Sequence, residues 1–442
     1  MASRVAPERG RNIDVEGAYR AAEERYTAAN PESLAQFTRA CESLPGGNTR
    51  TGMFYAPFPL AMARGEGAYM WDLDGHRYRD YAGDFSAGIY GHTNAVVHAA
   101  VREVLADGVT FGSVSSHEAR LAELVCARIP AIERVRFCNS GTEANIMSLV
   151  TANAVTGRSK IMVFEGAYHG GTLSFPPGGS PINVPFDFVL APFNDIDGTS
   201  ALFDEHGENL SAILVELVQG AGGCIPADTD FVALLRERAT RCGALLIFDE
   251  VMTSRLGPNG RQGALGITPD LTTLGKYVGG GMTAGAFGGR ATIMDRYDPR
   301  AKDHFVHNGT FNNNVMTLAG GAAGLEQVYT PVAATALTES GEAFRQRLNT
   351  LGQKHGLPFQ VTGFGSLMNI HFVDGEIRSH HDLARRNLTA LDLFHLELIA
   401  AGIYITRRGY LALSLALTED DHDVFVAEAD KFLSAYGELI SA

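Results

Sequence analysis

"ALLIFDEV", residues 244–251, sets five consecutive apolar residues ahead of two carboxylates. A run that short, with no polar alternation, reads as a strand covered on both faces, as in a parallel sheet sandwiched by helices. "RVRFC" (134–138), "KIMVF" (160–164) and "AILVEL" (212–217) have the same character. Around them lie segments with apolar residues at helical spacing: "VVHAAVREVLADG" (96–108), "EARLAELVCARI" (118–129) and "DFVALLRERATRCG" (230–243), the last stopping at a glycine. This alternation, from about residue 95 to 330, predicts an α/β fold with a mainly parallel sheet flanked by helices.

Outside that span the character changes. The opening 40 residues or so read as polar helix, and "GEGAYMWDLDGHRYRDY" (65–81) carries Asp74-Gly75 between aromatic flanks, a β-hairpin signal. After Pro331 we expect a long helix, a strand at "SLMNIHFV" (366–373), a helix over about 382–401, a Tyr-rich hairpin near 403–415 and a last helix from about 419. "TEDD" (418–421) fits the N-cap of that helix with a capping-box carboxylate. The 442 residues suggest two or three domains at roughly 150 residues each. The expected division is an N-terminal helical segment and hairpin (1–80), a large domain (81–335) and a smaller α+β C-terminal part (336–442), with both ends of the chain contributing to the small domain.

Composition narrows the function. Lys and Arg number 36 against 50 Asp and Glu, a net charge of −14, which lacks the basic footprint of a nucleic-acid binder. The five cysteines form no CxxC pair, so a reducing, cytoplasmic setting is expected. "MASRVAPERGRNID" (1–14) is charged and has no apolar core, unlike a secretory signal. No run approaches the length of a membrane span. HExxH, G-x-S-x-G and paired Cys/His spacings are absent, so no metal is expected.

The chemistry gathers at strand ends. Asp249 sits at the inner end of an apolar strand, where a carboxylate is costly unless paired; it is either a salt-bridged structural acid or a partner for a cationic ring nitrogen. Glu250 faces the other way by strand alternation, while Glu216, in another apolar strand, could orient the neighbourhood of Asp249. "FCNSGTEANIMSL" (137–149) runs from strand to helix, with Ser140 and Glu143 in capping-box spacing. The free amides of Gly141 and Thr142, two hydroxyls and the helix dipole would also make a phosphate site. Tyr168, in "GAYHGG" (166–171), is an aromatic among glycines at a strand exit and suits stacking on a planar ligand.

Lys276, in "DLTTLGKYVGGGM" (270–282), follows one more short strand and has little polar company. A desolvated lysine has a lowered pKa, and its neutral amine can form a Schiff base. "GGGMTA" (279–284) loosely matches a dinucleotide loop, but Gly285, Gly288 and Gly289 follow where a helix is needed. A Walker loop would need Ser or Thr where Tyr277 stands. A phosphate cradle, a stacking aromatic, an acid for a pyridine nitrogen and a Schiff-base lysine together describe pyridoxal 5'-phosphate.

These motifs, "NSGTEAN", "GAYHG", "LLIFDEVMT" and "DLTTLGKYVGGGM…GAFGG", resemble the class III aminotransferases of pyridoxal phosphate fold type I, the aspartate aminotransferase-like fold. "LPGGNTR" and "GAYMWDLDGHRYRDY" resemble the glutamate-1-semialdehyde aminomutase branch. "FYAPFPLAMARGEGA", "VPFDF", "EVMTSRL" and "GTFNNNVMT" are closer to the β-phenylalanine-type aminotransferases. The resemblance implies that Ser140, Gly141 and Thr142 hold phosphate and Tyr168 stacks on the ring. Asp249 would pair with the ring nitrogen, Lys276 would carry the cofactor, and Met252 would lie toward the ring's other side. It implies a homodimer with shared active sites, Thr310 reaching a phosphate held mainly by the partner, and Arg50 and Arg408 binding the substrate carboxylate, with Arg407 as the rival of Arg408.

Two stretches depart from the pattern. Asn312-Asn313-Asn314-Val315 stands where the aminomutase branch has Gly-Asn-Pro, and "GVTFGSVSSHEARL" (108–121), which would line a substrate pocket, does not closely match the β-phenylalanine-type enzymes. The expected activity is transfer of an amino group from an aromatic or aliphatic β-amino acid to 2-oxoglutarate or pyruvate by a ping-pong reaction. The alternatives are the semialdehyde aminomutase, an amine transaminase acting on carboxylate-free amines, and a non-catalytic pyridoxal phosphate-binding regulator.

Overall fold

In the computed structural model, which describes residues 14–441, a seven-stranded sheet runs through the middle of the chain. Its order is Arg134–Cys138, Gly285–Gly289, Leu271–Gly275, Leu245–Asp249, Leu210–Glu216, Lys160–Phe164 and Asp187–Ala191. All neighbours pair in parallel except Gly285–Gly289, which is antiparallel to both strands beside it. The helices Gly141–Thr156 and Thr229–Cys242 pack on this sheet, and every residue of Leu210–Glu216, Leu245–Asp249 and Leu271–Gly275 is buried. Unbroken apolar runs form these central strands because both faces are covered and no position faces water.

"RVRFC" differs. It is an edge strand, exposed at Arg134 and half-buried through Phe137, not covered on both faces. Arg136 uses the open side to reach His307, 3.0 Å away. Gly285, Gly288 and Gly289 lie in a strand that passes close to its neighbours: a Cβ on Gly285 would fall 2.1 Å from the carbonyl oxygen of Ser140.

The N-terminal hairpin pairs Tyr69–Asp72 with Arg77–Asp80 about a turn at 73–76. The C-terminal region forms the helix Pro331–His355, an antiparallel sheet of Phe359–Phe364, Leu367–Phe372 and Tyr410–Ala412, and the helix Glu419–Ser441. Thr418 and Asp421 cap that last helix reciprocally.

Two expectations fail here. The segment 403–415 is not a hairpin. Ile403–Tyr404 pairs in parallel with Arg79–Asp80 of the N-terminal sheet, whereas Tyr410–Ala412 pairs with Leu367–Asn369. The turn between them is closed locally by Thr406, whose Oγ1 accepts from Tyr410 N at 3.0 Å, and the strands then diverge into separate sheets. The helix expected over 382–401 spans Leu388–Ala400, because Asn387 caps it and Arg386 is extended; His380–Arg385 forms a separate 3-10 turn.

Phe248, in the middle strand, is completely buried between the covering helices. Its replacement by Ala is expected to cost about 3–5 kcal/mol, from lost transfer energy and the residual cavity. Thermal unfolding of Phe248→Ala against the unaltered protein checks this, and an unchanged Tm would contradict the packing.

Candidate active site

Asp249 is the last residue of its strand and lies opposite Glu216 on one side and Thr273 on the other. Its carboxylate is buried and held by three donors from separate elements. Oδ2 accepts from His169 Nδ1 at 2.8 Å and from Asn145 Nδ2 at 2.9 Å, and Oδ1 accepts from Val251 N at 3.0 Å. Asn145 in turn accepts from Thr273 Oγ1 at 2.7 Å and also donates to the carbonyl of His169. The helix that starts at Gly141, the loop 166–171 and two strands therefore meet at one acid. Glu250 faces away, as strand alternation requires, and accepts from Thr253, Arg261 and Gln262.

Glu216 fixes the same loop from its other side: its Oε2 accepts from Tyr168 N at 3.0 Å and its Oε1 from Gly220 N at 3.1 Å. Burial, aided by the neighbouring Asp249 charge and opposed by His169, raises its pKa to about 7. Gly220 leaves space for Met252, whose Sδ would lie 2.8 Å from a Cβ there. Tyr168 presents a half-exposed ring from this loop.

The turn after "RVRFC" is tight. Ser140 caps the helix Gly141–Thr156 by accepting from Glu143 N at 3.1 Å. Glu143 reaches back one residue further than a capping box requires, to Asn139 N at 2.7 Å. The amides of Gly141 and Thr142, first in the helix, have no carbonyl four residues back to bind and are free for an anion. This turn abuts the lysine: a Cβ on Gly275 would lie 3.5 Å from Gly141 N.

Lys276 follows with φ 57°, a left-handed conformation rare outside glycine. Its amine makes no hydrogen bond or ion pair with any described residue. Burial lowers its pKa to about 8, outweighing the charges of Asp249 and Glu216, which raise it; Arg408 lowers it further.

Arg50 and Arg408 come from opposite ends of the chain to one aromatic ring. Their guanidinium carbons lie 5.0 and 5.3 Å from the centroid of Phe85. Arg50 pairs with Asp84 at 2.6 Å, whereas Arg408 has no ion pair among the described residues. Arg407 points elsewhere, to Asp392 at 2.6 Å. Thr310 stands apart from the cluster: it is exposed on a loop whose Asn312 accepts from Asn139 at 3.0 Å. Sequence reasoning assigned no role to His169, Asn145 or Phe85; the signal for the first two lay in the motifs "GAYHG" and "NSGTEAN", which carry polar residues beyond those singled out.

The chain belongs to the family described as Aminotransferase class-III, which matches residues 53–178 and 181–431. It is 52% identical, over 94% of its length and 96% of the relative's, to the beta-phenylalanine transaminase of Variovorax paradoxus. The crystal structure of a beta-phenylalanine aminotransferase from the same organism superimposes with a TM-score of 0.95 at 51% identity, covering 96% of this chain and 98% of that one. Glutamate-1-semialdehyde 2,1-aminomutase 1 of Bacillus cereus is 35% identical over 89% of this chain and 95% of its own. The protein is a pyridoxal phosphate-dependent aminotransferase with the corresponding α/β fold.

The residues present fit that cofactor. The amine of Lys276 is buried and unpartnered, Asp249 Oδ1 accepts only one protein hydrogen bond and keeps a lone pair, and the free amides at 141–142 abut Gly275. Because the amine becomes neutral at about 8 rather than 10.5, capture of pyridoxal phosphate by the cofactor-free protein should accelerate with rising pH and level off above about 8. Stopped-flow absorbance across pH 6–11 reads this, and a rate still climbing beyond about 10 would contradict the burial of Lys276.

Proposed function

We propose that this aminotransferase takes its amino group from an aryl- or alkyl-substituted β-amino acid and passes it to 2-oxoglutarate or pyruvate. The observation that carries this reading is the pair Arg50 and Arg408, gathered at Phe85, with Arg408 within electrostatic reach of Lys276. Both donor and acceptor bring a carboxylate, and a guanidinium fork binds one through two parallel hydrogen bonds. The 52% identity to a protein named for β-phenylalanine supports the β-amino acid class.

In this reading Ser140, Gly141 and Thr142 bind the phosphate. Tyr168 covers one face of the pyridine ring, with Glu216 fixing its backbone and Met252 toward the other side. Asp249 keeps a proton on the ring nitrogen and is itself held by His169 and Asn145. When bound, pyridoxal phosphate supplies the electron sink that acidifies the substrate C–H and stores the amino group between half-reactions. Lys276 would hold the cofactor through its amine and, once the substrate amine has taken its place, would take and return the proton at the substrate's amine-bearing carbon.

The enzyme works as a homodimer in this account. Phe311, Val306, Phe111 and Val114 expose apolar side chains on two loops joined by Asn313 and the carbonyl of Ser113, 2.9 Å apart, and Thr310 projects beside them. A second copy covering this surface would receive Thr310 at its phosphate. Residues 81–335 form the cofactor-binding unit, and 1–80 joins 336–442 in the smaller one, supported by the pairing of Arg79–Asp80 with Ile403–Tyr404. No described helix is long and apolar enough to cross a membrane, and the thiol content favours a cytoplasmic setting.

The test is a donor panel of β-amino acids, α-amino acids and simple amines with each keto acid. Turnover should be highest with β-amino acids; a preference for carboxylate-free amines would refute the assignment. Arg408→Ala should lose about 10- to 100-fold in kcat/KM for carboxylate donors, the worth of a charged hydrogen-bonding pair, with little change for simple amines. The aminomutase relatives set the second reading: an aminomutase turns over its semialdehyde substrate without keto acid, whereas this enzyme should stop after one half-reaction. Lys276→Ala should bind cofactor without a borohydride-trapped adduct and lose multiple turnover; an undiminished steady-state rate would sink the mechanism.

A further inference from the structure

Glu165 and His381 are 216 residues apart in sequence and touch in the fold, His381 Nε2 lying 2.6 Å from Glu165 Oε2. The backbone of Glu165, just past the strand Lys160–Phe164, is fixed: its N–H donates to Ala191 O at 3.0 Å and its carbonyl accepts from Gln219 Nε2 at 2.8 Å. His380 and His381 open the 3-10 turn His380–Arg385, whose start is locked by a capping box between Ser379 and Asp382. The two imidazole centroids are 3.9 Å apart. One ligand atom from each of Glu165, His380 and His381 lies within 4.8 Å of the other two.

Two buried polar atoms at this place have no partner, His380 Nδ1 and Gln219 Oε1, the latter on a side chain 0% exposed. Both side chains close on Gly166, where a Cβ would lie 2.9 Å from Gln219 Oε1 and 3.0 Å from His380 Cγ. Only glycine leaves both in place, and at φ +79° it is also the residue that adopts this backbone without strain.

We propose that Glu165, His380 and His381 form a binding site for a divalent cation of the Zn2+ type, outside the transamination site. Two imidazole nitrogens and one carboxylate oxygen suit Zn2+ and Co2+, whereas Mg2+ and Ca2+ favour oxygen ligands throughout. Tetrahedral ligands at roughly 2.0–2.2 Å from zinc stand about 3.3–3.6 Å from one another. The three atoms, within 4.8 Å of one another, stand about 1 Å wider than that spacing. Without a cation, the carboxylate engages His381 alone among the pair. A cation brings in both imidazoles, and a water in its fourth position donates to Gln219 Oε1. The site ties the start of the loop bearing Tyr168, three residues beyond Glu165, to the segment leading into the helix Leu388–Ala400, so a bound ion clamps that loop from outside.

The experiment uses chelator-treated holoenzyme titrated with ZnCl2, CoCl2 and MgCl2, reading metal per chain, the visible Co2+ absorption and Tm. We expect one Zn2+ or Co2+ per chain, a higher Tm with either, and no response to MgCl2. His381→Ala, at a side chain 64% exposed, and Glu165→Gln should lose the ion and the Tm rise while keeping cofactor absorbance and turnover. No stoichiometric ion on the holoenzyme would overturn the proposal. So would an ion retained in both variants, since that places it on the cofactor or elsewhere.

Discussion

A carboxylate buried at the end of a parallel strand sets the terms for everything around it. An ion taken out of water carries a penalty of several kcal/mol unless its lone pairs find donors. Asp249 finds them in His169, Asn145 and its own turn at Val251. Each donor brings its element with it: the loop of Tyr168, the helix that opens at Gly141, and through Asn145 the strand ending at Gly275. The convergence of Tyr168, Ser140 to Thr142 and Lys276 is thus the geometric result of satisfying one acid. Glu216 lies beside it on the next strand and, raised to about 7 by burial, is partly protonated near neutrality.

A second buried charge shapes the other wall. Arg255 is completely buried without a carboxylate, and its guanidinium is solvated by the carbonyls of Ser86 and Leu413 and by Ser366 Oγ. Those three groups belong to the turn after the N-terminal hairpin and to the C-terminal sheet region. The turn needs the support. Asp84, Phe85 and Ser86 all have positive φ, at 42°, 51° and 78°, which costs about 1–2 kcal/mol for each non-glycine residue. Asp80 adds two hydrogen bonds, to the amides of Ala82 and Gly83. The strain is located where Phe85 receives Arg50 and Arg408, so the left-handed turn places the ring that gathers them.

The strands Leu210–Glu216 and Leu245–Asp249 were legible because they are buried on both faces and announce themselves as closed apolar runs. Asp249 and Lys276 stood out as candidates because each stands where such a run stops. What failed to read depended on partners distant in sequence. Nothing within 403–415 says that Ile403 and Tyr404 pair with Arg79 and Asp80, and so the segment read as a hairpin closed on itself. His169 and Asn145 reach Asp249 from 80 and 104 residues away and look locally like ordinary loop and helix positions. The turn at 84–86 has no signature, because aspartate, phenylalanine and serine in succession do not signal a left-handed backbone. Leu388 begins its helix late because Asn387 is the cap, a choice that several nearby polar residues could have filled.

The two halves of the pocket differ in rigidity for a physical reason. Asp249 and Glu216 are anchored at the carboxyl ends of their strands by hydrogen bonds, and moving either leaves an unpaired polar atom behind. The arginines are long side chains on exposed segments. Arg50 is held by Asp84 in a pair whose side chains are 49% and 58% exposed, and exposed pairs contribute only about 0–1 kcal/mol. An exchange of Asp84 for another carboxylate at Arg50 would therefore be one between nearly equal partners. Asp249 has no such freedom, because its donors His169 and Asn145 are buried with it.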